Sequence, residues 1–372
     1  MRSIQGRFLV FVAIAAFSVP LVRAASDGIS LPKGLPADLW AILVPPENPV
    51  TPEKIELGRR LYYDKRLSAD GTVSCATCHD PDKGFADGKK VGEGVGGKKG
   101  ARNSPTVLNA VFNEFQFWDG RAMTLEEQAK GPMTNPVEMG MNDHQAVVTA
   151  VLKDQGYVAD FQKLFGRAPT IDDIAAAIAT FERTVVSGDS AFDRFQAGDK
   201  TAMDEESIRG WALWNGKARC NTCHPFSAAT PNFSDNKFHN IGVAAKGRDF
   251  VALARKAAQV SDPQELAFDP NFSELGRFIA TRQPKDIGAF KSSGLRDIAL
   301  TAPYMHDGSE PSLMSVVEFY NRGGEPNPYL DGGITPLNLT PSEMRDLVFF
   351  MNSLTGQGEG AANRPALREP KK

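Results

Sequence analysis

Past its first two dozen residues this chain has no apolar run of the roughly 20 residues a spanning helix needs, so no membrane crossing is expected of the mature protein. It also lacks an excess of either charge. Its 42 basic and 45 acidic residues provide no basic face for nucleic acid or anionic lipid. Alternating strand patterns are scarce, which argues against an all-β fold. Cysteine is limited to four residues and histidine to five, so any metal or redox chemistry must use a short list of ligands.

What is present begins with an export signal. Arg2 and Arg7 precede the apolar run Phe8 to Val22, and Val22-Arg23-Ala24 fits a small-residue cleavage site. The run is short for an uncleaved anchor, the alternative. Residues 1–24 are therefore read as a signal peptide. Removing Arg2, Arg7 and Arg23 takes the formal net charge of −3 to about −6. At roughly 150 residues per domain the remainder suggests two domains.

All four cysteines fall in two copies of C-x-x-C-H: Cys75/Cys78/His79 and Cys220/Cys223/His224. Export permits disulfides, but a disulfide leaves the two histidines unexplained. Zinc is a second alternative. Paired C-x-x-C motifs at a zinc site stand about 15–20 residues apart, far closer than Cys75 and Cys220, and four Cys with two His exceed one tetrahedral site. Covalent haem c explains every residue of both motifs: two thioethers fix the macrocycle and the histidine ligates iron.

Each motif has a similar lead. Gly58-x-x-Leu61-Tyr62 precedes the first and Gly210-x-x-Leu213-Trp214 the second, a weak internal repeat. Helix starts are legible at Thr51-Pro52, at Thr124-x-x-Glu127, at Thr170-x-x-Asp173 and at Thr340-Pro341-x-Glu343. Apolar faces follow at Ile174, Ile178, Phe181 and Val185, and again at Met344, Leu347, Val348, Met351 and Leu354. With 34 Gly and 25 Pro, long turn-rich loops must join the helices. The expected fold is mainly α: two cytochrome-c-like haem domains with long loops, at 37–195 and 196–356, then a polar tail over 357–372. The basic, Gly-rich segment Lys83 to Arg102 reads as a solvated flexible loop.

The sixth iron position separates electron carriage from catalysis. Three histidines remain. His144 reads as a surface residue at a helix start. His239 and His306 each fit a ligand, a propionate partner or a satisfied polar residue, and the sequence does not choose.

The stretches Arg102-Asn103-Ser104-Pro105-Thr106, Phe117-Trp118-Asp119-Gly120-Arg121, Glu127-Gln128-Ala129-Lys130-Gly131-Pro132 and Asn135-Pro136-Val137-Glu138-Met139 resemble the bacterial dihaem cytochrome c peroxidase family, which includes the MauG-type enzymes. Leu295-Arg296-Asp297 and Thr301-Ala302-Pro303-Tyr304-Met305-His306-Asp307-Gly308 fit as well. The resemblance spans about residues 50 to 356. It implies a peroxidatic haem at His79 and an electron-transfer haem at His224. It implies Glu138 as distal acid with Gln128 beside it, and Trp118 between the haems. It also implies a calcium ion held by Asn103, Thr301 and Pro303, the last two through carbonyl oxygens. A dimer is common in the family.

Two departures from the family pattern stand out. Many members carry a blocking distal histidine just before the Arg-Asn-Ser-Pro-Thr motif. Here that position falls at about Val95, and no histidine lies between His79 and His144, so the first iron is expected to be open or water-bound at rest. Members generally ligate the second iron with Met. The same count from Thr-x-Pro reaches Tyr320 here, as in MauG-type enzymes, with Met314 as the rival and a core tyrosine as the plain alternative.

The function expected is periplasmic reduction of hydrogen peroxide to water, with electrons from a small cytochrome c, a cupredoxin or another protein. MauG-type oxidation of a partner protein's residues is the alternative. A dihaem electron carrier is a second alternative, and a redox or peroxide sensor ranks last.

Overall fold

The computed structural model describes residues 29–356. The expected signal peptide and polar tail lie outside the described residues. The chain is mainly α. Helices of eight residues or more are, in chain order, α1 (Pro52–Tyr63), α2 (Leu125–Thr134), α3 (His144–Leu152), α4 (Gln155–Phe165), α5 (Ile171–Glu182), α6 (Glu205–Asn215), α7 (Phe250–Ala257), α8 (Leu313–Asn321) and α9 (Pro341–Asn352). The named strands are two-residue segments, β1 (Phe238–His239) and β2 (Phe290–Lys291). They pair antiparallel, Phe238 opposite Lys291 and His239 opposite Phe290.

The helix starts form as their residues dictate. Thr51 accepts the Lys54 amide hydrogen, with Pro52 at the first position. Thr170 with Asp173, and Thr340 with Glu343, form reciprocal capping boxes. Each cap satisfies an orphan donor at a helix end, a contribution of about 1 kcal/mol. At Thr124 only half of the box forms. Thr124 accepts from Glu127, while the Glu127 carboxylate accepts from the Met123 amide instead.

Two helix pairs carry the architecture. α1 packs on α5 and α6 on α9. At each crossing a glycine lets the backbones touch: Gly58 against Ala177, Gly210 against Asp346. The first pair anchors a core in which Leu61, Tyr62, Ile174, Phe161 and Phe181 are fully buried. The second anchors a core of Phe192, Trp214, Phe233, Phe350 and Leu354. Burying side chains of this size contributes roughly 1.5–3 kcal/mol each. A third cluster, built from Phe250, Leu266, Leu275, Phe278 and Ile279 with Trp118 against it, fills a segment between the second C-x-x-C-H motif and β2.

The segment Lys83 to Arg102 departs from the solvated loop expected of it. Phe85, Ala86, Asp87 and Val95 are buried, because its backbone is tied down. The Val95 amide donates to the Glu138 carbonyl at 2.8 Å and Gly96 to Asp70 at 3.1 Å.

Candidate active site

The first motif lies on a one-turn helix, Cys75–Cys78, followed by His79. α1 reaches it from behind. The Tyr62 hydroxyl donates to the His79 carbonyl at 2.8 Å, and Tyr62 itself packs edge-on against Phe181. His79 Nδ1 is buried with no hydrogen bond of good geometry. Burial pushes the imidazole pKa down, and Asp87 with the Phe85 and Pro105 carbonyls opposes that shift. The ring is thus disposed to be neutral, the form that ligates a metal.

The second motif repeats this plan. Trp214 Nε1 donates to the His224 carbonyl at 3.3 Å. His224 Nδ1 contacts the Phe233 carbonyl at 2.9 Å, which makes Nδ1 the donor and leaves Nε2 as the coordinating atom. A cavity of about 270 Å³ opens here. It is lined by Cys220, Cys223, His224, Leu313, Tyr320 and Met351, among others.

The four thiols form no disulfide among themselves. Burial raises the pKa of Cys78 to about 11 and of Cys220 to about 12. Reactive or metal-binding cysteines are tuned the other way. Neutral sulfurs beside a neutral imidazole and an apolar cavity fit a thioether-linked haem.

Glu138 stands in a tight loop after α2. Its amide donates to the Asn135 carbonyl and its carbonyl accepts from Val95. Burial raises its pKa, while Arg121 and Asn135 pull the other way. Its charge is felt at Cys78, so the structure brings Glu138, Val95 and the first motif together. Gln128 is half-buried on α2, the helix that leads into this loop.

Trp118 packs against the third core cluster. Its Nε1 donates to the Asn103 carbonyl at 2.9 Å, it meets His306 edge-on at 6.4 Å, and it lines the same cavity as His224. The turn that carries it is fixed by charge. Asp119 is fully buried between Arg102 at 2.7 Å and Arg121 at 3.0 Å, and the two guanidiniums hold its pKa at about 2 against desolvation.

Asn103, Thr301 and Pro303 also line that cavity. The Asn103 amide nitrogen donates to the Lys89 carbonyl at 2.9 Å, so Oδ1 is the atom left to ligate. One side-chain oxygen and two carbonyls suit a hard cation such as calcium, with water completing the shell.

Tyr320 lines the cavity with Leu313, Val316 and Val317, and burial with the nearby Cys223 and Cys220 raises its pKa. Met314 is half-buried on the same helix, α8, and is not among the cavity-lining residues.

The three remaining histidines are all engaged. His239 is gripped at both nitrogens, by Asp331 at 2.7 Å and Asp235 at 3.0 Å, and Asp235 first, then Cys223 and Asp331, raise its pKa against burial. His306 is buried, stacked on Phe290 at 3.6 Å, with Nε2 on Glu274 at 3.0 Å. His144 is half-buried rather than on the open surface, its Nε2 against the Lys130 carbonyl at 3.1 Å.

The sequence reading missed the Arg102–Asp119–Arg121 cluster as a unit, although all three of its members lie in quoted motifs. No helix of the described residues is long and apolar enough to cross a membrane.

A sequence profile of the di-haem cytochrome c peroxidase family matches residues 52–201. The methylamine utilization protein MauG of Methylorubrum extorquens is 40% identical over 315 residues, covering 84% of this chain and 81% of that protein. The cytochrome c551 peroxidase of Pseudomonas aeruginosa is 33% identical over 350 residues, covering 92% and 90%. Among solved structures, a MauG-like protein associated with microbial copper homeostasis superposes with a TM-score of 0.73 at 32% identity, covering 92% of this chain and 97% of that one.

Proposed function

The chain belongs to the di-haem cytochrome c peroxidase family and is a haem oxidoreductase, and from that premise we propose that it is a periplasmic peroxidase that reduces hydrogen peroxide to water. The observation that carries this reading is the Val95–Glu138 contact. The Val95 amide donates to the main-chain carbonyl of Glu138, so the segment that approaches the half-buried Glu138 beside the first haem motif carries no imidazole that could ligate the iron.

Two haems c, one in each of two cytochrome-c-like units (37–195 and 196–356), supply the iron that cleaves peroxide and the store of reducing electrons. Cys75 and Cys78 anchor the first and His79 ligates it. Cys220, Cys223 and His224 do the same for the second. Glu138 accepts the proton of the near peroxide oxygen and returns it to the leaving oxygen, a transfer typically worth 10²–10⁴ in rate. Gln128 orients peroxide beside it. Trp118 relays electrons between the sites, held in place by Asn103 and by the salt-bridged turn at Asp119. Asn103, Thr301 and Pro303 hold calcium at the junction.

The electron donor is a small redox protein. A second reading, MauG-type oxidation of a partner protein, is favoured by one observation: Tyr320, and not Met314, lines the cavity of the second motif. A phenolate ligand lowers a haem potential relative to Met and makes that haem a poor acceptor from ordinary cytochromes.

Rapid mixing tests the proposal. Peroxide added to the ferric protein should alter the absorbance of the first haem at once. The E138Q variant should respond about 10²–10⁴-fold more slowly with both haems still attached. An unchanged rate would remove Glu138 from its role.

A further inference from the structure

One buried carboxyl has no part in the chemistry above. Glu182 closes α5, is 5% exposed, and its Oε2 has no hydrogen-bond partner. The internal duplication indicates what it faces. Ala177 meets Gly58 as Asp346 meets Gly210. Four residues on, Phe181 packs on Tyr62 at 5.0 Å and Phe350 packs on Trp214 at 5.2 Å. One residue further stand Glu182 and Met351. Met351 lines the cavity of the second haem motif. Glu182 is felt electrostatically at Cys75 and Tyr62. The first unit therefore holds a carboxyl where the second holds a thioether.

We propose that Glu182 is a redox-linked proton site of the first haem, binding a proton when that iron is reduced and releasing it when the iron is oxidised. This rests on reading Cys75, Cys78 and His79 as a haem site. The reason is electrostatic. Reduction removes one positive charge from the iron, and a carboxylate in a low-dielectric core is then poorly compensated. The step balances as one electron from the reductant, which takes ferric to ferrous iron, and one proton from solvent, which takes carboxylate to carboxylic acid.

The charged and titratable neighbours compensate that charge only in part, through Arg183. Arg183 is paired with Glu126 at 2.8 Å. The Lys54 ammonium donates to Asn48. Burial raises the pKa of the Tyr62 phenol on α1, Cys75 becomes a thioether, and Asp173 is paired with Arg167. Burial accordingly pushes the Glu182 carboxyl up to about 8, with Glu126 adding to the rise and Arg183 opposing it. The acid at the His79 imidazole is a different one, Asp87.

The test is a spectroelectrochemical titration of the dihaem protein, followed at the bands of the first haem, from about pH 6 to 9. The wild-type midpoint potential should fall by up to about 59 mV per pH unit, one proton per electron. In E182Q, and in E182M, which installs the residue of the second unit, the slope should flatten for the first haem and stay unchanged for the second. Equal slopes in wild type and both variants, or no slope in wild type, would overturn the proposal. A haem count of two per chain in each protein separates this outcome from failure of the haem-site reading, which would show as a missing first haem in the wild type.

Discussion

Gly58 rests against the backbone of Ala177, where a Cβ would come within 1.9 Å of the Ala177 carbonyl oxygen. Gly210 stands in the same relation to Asp346, at 2.0 Å. Each contact lets a helix bring an aromatic residue, Tyr62 or Trp214, to the carbonyl of a haem-motif histidine. Gly58→Ala and Gly210→Ala should each destabilise the protein by about 1–3 kcal/mol through overpacking. Thermal unfolding of the purified variants checks this, and an unchanged midpoint in both would contradict the crossing geometry.

Glu138 should control the acid limb of the peroxide reaction. The carboxylate must be free to accept a proton, so the rate should rise with pH through its pKa. Burial places that pKa above the ordinary glutamate value of about 4.3. A pH–rate profile of peroxide binding should show the limb in wild type and lose it in E138Q. A limb that survives E138Q would assign it to another group.

Tyr320→Phe should change the absorption and electron paramagnetic resonance signals of the second haem alone, whereas Met314→Leu should leave both haems as they were. A spectrum altered by the Met314 change and not by the Tyr320 change would reverse the ligand assignment.

Asp119 links the fold to acid stability. Its pKa lies at about 2 in the folded protein against about 3.9 unfolded. The folded value is depressed, so the stabilisation, about 2–3 kcal/mol, is present above the unfolded value and is lost as pH falls from about 4 through about 2. Asp119→Asn should remove that dependence and cost about 3–5 kcal/mol at neutral pH, since Arg102 and Arg121 lose their buried counter-charge. Acid unfolding curves of the two proteins test it. Coincident curves would mean the cluster contributes nothing.

Much of this was legible in the residues. The C-x-x-C-H motifs stand out because four cysteines leave so few alternatives, and capping residues act locally, so Thr170 and Thr340 mark helix starts directly. The Gly-x-x-Leu-aromatic repeat looked weak as a pattern. Its meaning lies in a backbone contact with a helix more than a hundred residues away, which no local period records. His239 could not be read for the same reason: Asp331, its closer partner, is distant in sequence. The third core around Phe250 and Phe278 is assembled from short helices and turns with no sustained period. Glu182 sits on an apolar helix face as a charged residue, and only its burial shows that it does not reach solvent.

The proposed function requires a first iron that is open at rest beside Glu138. The measurement that tests it most directly is peroxide-dependent oxidation of a reduced small cytochrome by the as-isolated ferric protein, with no pre-reduction. Immediate turnover is the predicted result. Turnover that begins only after pre-reduction would contradict it, because it would require a ligand that blocks the first iron until the second is reduced.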